Sequence, residues 1–257
     1  MEVVYGPVPS WRLGRSLGVD PQGGWTKRCS FDCLYCSSGP TEEKTVERRV
    51  SVFPERVERE LREALREVEA DVITFCGLGE PTLAGNLGEL IGVVRMVSDL
   101  PVAVLTNSSL MGSAEVRREL ALADLVKGKL DAEGEERFAE INRPHPSLRW
   151  GEMVEGMRKF RRGFGGEFAL EVMVIPQNLK ACGRIAEVLR TIGPDEVQVN
   201  TPLRPSPVSP LRREELEGVL GNFEGMRFRW VYGEEKPEVR RRVGFRRLRL
   251  LKRTEEP

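Results

Sequence analysis

Residues 72–81 read VITFCGLGEP, four apolar and mostly β-branched positions running straight into a glycine-rich turn that ends in an acid and a proline. A continuous apolar run of this length, bounded by glycines, predicts a strand buried on both faces, as in a parallel sheet covered by helices. Upstream, PERVERELREALREVE (54–69) has proline in its first turn and Val57, Leu61, Leu65 and Val68 on one face, the spacing of an amphipathic helix. Downstream the alternation repeats. Helical patterns over 86–100, 113–122, 150–160 and 179–192 alternate with apolar strands over 102–105, 124–130, 168–175 and 196–199, and Ser113 is placed to cap its helix. With a first strand at 17–20 these make six, fewer than the eight that close a full barrel, so the expected fold is α/β: a partial (β/α)6 TIM-type barrel with parallel strands. The proline-rich TPLRPSPVSP (201–210) marks the end of that core. The expected division is a barrel core over 1–210 and a C-terminal extension over 211–257, which carries the strand-like RFRWVY (227–232) and a basic tail.

The chain has 257 residues, 40% hydrophobic and 31% charged, an ordinary globular composition with enough length for one sizeable core. No apolar run approaches a membrane span, and the first residues lack the pattern of a secretory signal, so a cytoplasmic protein with no membrane partner is expected. Forty basic and forty acidic residues cancel. The cancellation is not local, because 240–253 reads RRRVGFRRLRLLKR, a strip that suits phosphate or that is simply a solvated final element. No internal repeat is visible.

Five cysteines, an odd number with one tight cluster, argue against a disulfide framework. The cluster is KRCSFDCLYCSSG (27–39), which sets Cys29, Cys33 and Cys36 at C-x3-C-x2-C. Thiolates this close repel one another and are stabilised by a shared soft metal centre. An iron–sulfur cluster is bound by about one thiolate per iron, so three cysteines around four irons leave one iron open. A structural zinc would need a second knuckle, and the only histidine is His145 in NRPHP. Cys76 and Cys182 read as small buried hydrophobes.

The triplet with Tyr35 before its last cysteine, followed by a strand that runs into Gly-Glu-Pro, resembles the radical S-adenosylmethionine superfamily. The longer runs PVPSWRLGRSLGVDP, CGLGEPTL, KLDAEGEERFAEINRPHP and VNTPLRP resemble its wyosine-synthetase-like Fe–S oxidoreductases, over roughly residues 5 to 210. The resemblance implies a radical enzyme in which Cys29, Cys33 and Cys36 hold a [4Fe–4S] cluster and S-adenosylmethionine chelates the fourth iron. An electron donor such as ferredoxin or flavodoxin would then drive reductive cleavage to methionine and a hydrogen-abstracting 5′-deoxyadenosyl radical. It also implies that Gly77, Gly79 and Glu80 receive the cofactor's ammonium group, glycine allowing close backbone approach, and that Tyr35 packs near the adenine.

Position at strand ends adds weaker candidates for the cofactor. Asn107 and Asp131 suit ribose hydroxyls, Lys129 suits a carboxylate, and Asn178 and Asn200 suit adenine or substrate; an ordinary strand-end cap is the alternative for each. Asn142, Arg143, His145 and Arg204 are candidate substrate-loop residues. No catalytic side chain is assigned. A tRNA base is the leading substrate, on the strength of the resemblance and the basic strip, although 4-demethylwyosine synthases carry a second cluster and an active lysine, and Cys76 and Cys182 are too few for that cluster. The alternatives are a peptide- or protein-modifying radical enzyme, including a glycyl-radical activase, and a zinc-binding adaptor.

Overall fold

The computed structural model describes residues 2–244. Its elements in chain order are β1 (Val4–Ser10), β2 (Gly14–Val19), β3 (Arg28–Cys29), β4 (Glu43–Lys44), α1 (Pro54–Glu67), β5 (Val72–Phe75), α2 (Leu87–Val97), β6 (Val102–Leu105), α3 (Ala114–Leu120) and β7 (Leu125–Lys129). There follow α4 (Glu135–Asn142), α5 (Trp150–Gly163), β8 (Glu167–Met173), α6 (Cys182–Ile192), β9 (Glu196–Asn200), α7 (Arg213–Glu217) and β10 (Phe228–Trp230). Eight strands form one sheet in the order β1-β2-β5-β6-β7-β8-β9-β10, and β3 and β4 pair separately in the cysteine loop.

All six expected strands are present as the parallel run β2-β5-β6-β7-β8-β9, in register pairs such as Val19 with Phe75 and Lys129 with Glu171. β5 and β9 are buried at every position, as helices on one face and a filled interior on the other require. The fold is thus the partial TIM-type barrel expected. In α1, proline at the first turn and Val57, Leu61 and Ala64 against the sheet bear out the amphipathic reading; the helix stops at Val68, which is extended. Ser113 does flank α3, but its side chain makes no capping bond.

Two elements that shape the site, β1 and α4, escaped the sequence reading, and a third, β10, was read as strand-like but not as part of this sheet. β1 runs antiparallel to β2, so one edge of the sheet is a hairpin whose turn holds Trp11 and Arg12. α4 ends where Arg143 takes a left-handed φ of 45° just before Pro144, a proline that forbids the helix to continue. At the other edge, RFRWVY supplies β10, which pairs in parallel with β9, Phe228 against Val197. Residues after 210 therefore complete the same sheet, and Leu211, Leu216, Phe223 and Val231 are buried in the same core as the barrel strands. Of the basic strip 240–253, residues 245–253 lie outside the described residues; within them Arg241 pairs with Glu67 at 2.9 Å.

Candidate active site

The carboxyl ends of the parallel strands and the cysteine loop surround a cavity of about 390 Å³, the place where this architecture carries its chemistry. Cys29, Cys33 and Cys36 all line it. The loop is fixed to its surroundings by backbone bonds, Asp32 N to Asn142 O at 3.0 Å and Leu34 N to Ile141 O at 2.9 Å, so the end of α4 orients the cysteines.

Each sulfur receives a nitrogen donor. Lys27 Nζ lies 3.1 Å from Cys36 Sγ, Asn107 Nδ2 donates to Cys29 Sγ at 3.6 Å, and Asn142 Nδ2 donates to Cys33 Sγ at 3.5 Å. Burial raises the Cys33 thiol to about 11, the charges of Cys36 and Asp131 adding to the rise. Burial, then Glu80 and Cys33, pushes Cys29 up as well. The polypeptide alone therefore disfavours the thiolates of Cys29 and Cys33. Bound iron reverses that preference, and donors aimed at the sulfurs are the outer contacts such a centre uses. Among the described residues no three Cys, His, Asp or Glu side chains converge as ligands of one ion would. A cluster whose irons are bound by separate thiolates requires only that the three line one mouth, so the residues fit a cluster better than a lone zinc.

The GLGEP turn lines the same cavity. Its glycines are demanded by the protein's own atoms: a Cβ on Gly79 would fall 1.7 Å from Arg28 O, and one on Gly77 would fall 2.2 Å from the Asp20 carboxylate. Packing within the protein is thus by itself a reason for glycine at both positions. Glu80 is 2% exposed, and its oxygens accept from Thr82 N at 3.1 Å, Thr82 Oγ1 and Thr106 Oγ1 at 2.6 Å, and Asn107 N at 2.7 Å. Burial raises its pKa against these bonds. The carboxylate is thus a bracket tying the end of β5 to the end of β6, and the backbone of the turn is what faces the cavity.

Lys129 and Asp131 do share a side of their strand end, with Nζ 3.7 Å from Asp131 Oδ1. Asp131 is buried behind the wall, accepting from the Tyr35 hydroxyl, from Asn142 Nδ2 at 3.0 Å and from Met173 N at 2.8 Å. It orients Tyr35, whose phenol is held protonated by burial and by that carboxylate. Lys129 lies over the Tyr35 ring, 4.7 Å from its centre. Asn107 and Asn200 line the cavity. Asn178 does not: it is fully buried, its amide donating to Asp131 O at 2.8 Å and Met173 O at 3.0 Å, its oxygen accepting from Ile175 N at 2.8 Å. Asn178 is a strand-end cap, the alternative weighed for it. Arg143 and His145 also fall outside the cavity lining, whereas Arg204 is part of it.

Several residues of the site were not singled out from sequence. Lys27 sits in the loop itself. Lys127, Glu171 and Arg12 form a charged group deeper in the cavity, Glu171 Oε2 accepting from Arg12 Nη1 at 3.0 Å and pairing with Lys127. For Lys127 and Glu171 the signal was a charged residue at a buried position of an apolar strand, whereas Arg12 lies in the β1–β2 turn. Cys76, read as a small hydrophobe, lines the cavity with Tyr5, whose hydroxyl lies 3.0 Å from its sulfur; Cys182 is buried as expected.

The model of the Radical SAM superfamily matches residues 25–189. A UPF0026 protein of Synechocystis sp. is 41% identical over 223 residues, which are 86% of this chain and 82% of that one. Among solved structures, Streptococcus suis SuiB bound to the precursor peptide SuiA superposes with a TM-score of 0.66 at 13% identity, over 85% of this chain and 49% of SuiB. Archaeal TYW1 superposes with a TM-score of 0.56 at 13% identity, over 83% of this chain and 72% of its own. At such identities the two structures share the fold, and neither singles out a subgroup.

Proposed function

The chain belongs to the radical SAM superfamily, an enzyme family that works with a [4Fe–4S] cluster and S-adenosylmethionine, and from that premise we propose that its cavity holds both cofactors beside a substrate from which hydrogen is removed. When bound, the pair supplies one-electron cleavage of the sulfonium carbon–sulfur bond and with it a hydrogen-abstracting adenosyl radical. The observation that carries the reading is the convergence, on one strand-end cavity, of three cysteine sulfurs each with its own nitrogen donor. In this reading Cys29, Cys33 and Cys36 would ligate three irons. The backbone of residues 77–79 would receive the cofactor's ammonium, Lys129 its carboxylate, and Asn107 and Asn200 its hydroxyls or base, while Tyr35, pinned by Asp131, walls the pocket against water. This makes the zinc-adaptor reading unnecessary.

The test is anaerobic reconstitution followed by dithionite reduction. About four irons per chain, with methionine and 5′-deoxyadenosine formed from S-adenosylmethionine, are expected. Both iron loading and cleavage should collapse in Cys33→Ala. Full loading with zinc, or cleavage that survives the substitution, would overturn the assignment. For the substrate, the basic strip 240–253 supports a tRNA base. That reading stands if bulk tRNA is retained at low salt, released by salt, and no longer retained after removal of 245–257; failure to bind tRNA at any salt removes it in favour of a peptide.

A further inference from the structure

The inner end of the cavity is charged in a way that the cofactors do not use. Lys127 and Lys129 are two apart on β7 and point the same way, which places Lys127 about 6.6 Å further from the strand end. Lys127 is only 4% exposed. Arg12 reaches the same point from the β1–β2 turn, its guanidinium held over the Trp11 ring at 4.9 Å. Glu171 pairs with Lys127, accepts from Arg12 at 3.0 Å and lies 3.7 Å from Lys129, which Asp131 approaches at the same distance, so that Arg12 and Lys127 share the one carboxylate. Its other oxygen is also taken by Asn200 Nδ2 at 2.8 Å. Arg204 and Lys236 line the same cavity, with no further Asp or Glu besides Glu80, whose oxygens are committed elsewhere. Arg12 Nε is buried without a hydrogen-bond partner among the described residues.

Cations in excess inside a concave, poorly solvated wall are costly unless a counter-charge arrives. We propose that the substrate carries an anionic oxygen group, a carboxylate or a phosphate, and that Arg12 and Lys127 receive it at the inner end of the cavity. The inference rests on the reading that this cavity houses the substrate. It separates two anion positions along one strand: Lys129 at the mouth, near Tyr35 and the cysteines, and Lys127 beneath it. The electrostatics agree. Burial first, and the Arg12 charge second, lower the Lys127 ammonium to about 7 against the pull of Glu171, with Lys129 also disfavouring its charge. An arriving anion restores that charge, so occupancy takes up a proton above neutrality.

Calorimetric titration of the reconstituted, S-adenosylmethionine-loaded protein with orthophosphate, and separately with succinate, tests the proposal. Saturable one-to-one binding of one of them at a Kd of about 1 mM or tighter is expected, and which one binds distinguishes phosphate from carboxylate. Lys127→Met and Arg12→Gln should each weaken it at least tenfold, whereas exposed Lys180→Ala should not. For succinate, which does not titrate near neutrality, binding should tighten as pH falls from 8.5 to 6.5. Absence of saturable binding by either anion, or binding that survives both substitutions, overturns the proposal; if Lys127→Met fails to fold by circular dichroism, Arg12→Gln decides. Wild-type cleavage of S-adenosylmethionine without anion binding defeats this inference alone. No cleavage in the wild type defeats the reading beneath it.

Discussion

The nitrogen donors on the three sulfurs come from separate parts of the chain: Lys27 within the cysteine loop, Asn107 after β6 and Asn142 at the end of α4. A donor to a cysteine sulfur favours the more negatively charged, reduced state of a cluster, so each raises the reduction potential. Asn142→Leu should therefore shift the potential of the reconstituted cluster to a more negative value, read by an electron paramagnetic resonance titration, while iron content is kept. An unchanged potential would show that the amide serves Asp131 and Tyr35 only. Cys29, Cys33 and Cys36 were legible because their chemistry is written in their spacing. Asn142 was legible as a loop candidate for the substrate but not as a donor to Cys33, because it lies 109 residues from the sulfur it touches. Glu80 was legible as a site residue but not as a bracket: only the approach of Thr106 and Asn107 shows that its oxygens are occupied.

At the scale of elements, the helices sit where amphipathic spacing put them, and glycines within them meet different surroundings. Gly156 in α5 faces the backbone of the β6–α3 connection, and a Cβ there would stand 2.5 Å from the Met111 carbonyl carbon. Gly92 in α2 has open space around the same position. Alanine gains about 1 kcal/mol over glycine in a helix interior, but overpacking against rigid backbone costs about 1–3 kcal/mol. Gly156→Ala is thus expected to lower stability in urea unfolding, and Gly92→Ala to raise it by about 0.5–1 kcal/mol. Equal effects at the two positions would mean that α5 shifts freely over that connection. Periodicity revealed the helices and not this difference, because a helical glycine looks the same in sequence whatever faces it.

Across the whole molecule, the barrel is finished by segments that the sequence placed outside it. The expected core ended at 210, yet Leu211, Leu216, Phe223 and Val231 are buried with the barrel strands, and β10 covers the edge of β9. Burying such side chains contributes about 1.5–3 kcal/mol each, so the four together rival the 5–15 kcal/mol that keeps a typical domain folded. A fragment of residues 1–210 should accordingly be insoluble or unfolded by circular dichroism, while residues 1–244 fold; a stable 1–210 fragment would restore the boundary at 210. The sequence by itself determined the alternating α/β plan, the six parallel strands and the cysteine triplet, because these depend on periodicity and on spacing within short segments. Only the tertiary structure decided which residues close the sheet, which nitrogen meets each sulfur, and that Arg12, Lys127 and Lys129 converge on one Glu171. Those outcomes join positions up to 159 residues apart, as Arg12 and Glu171 are, and no local pattern records a contact that exists only once the sheet has curled.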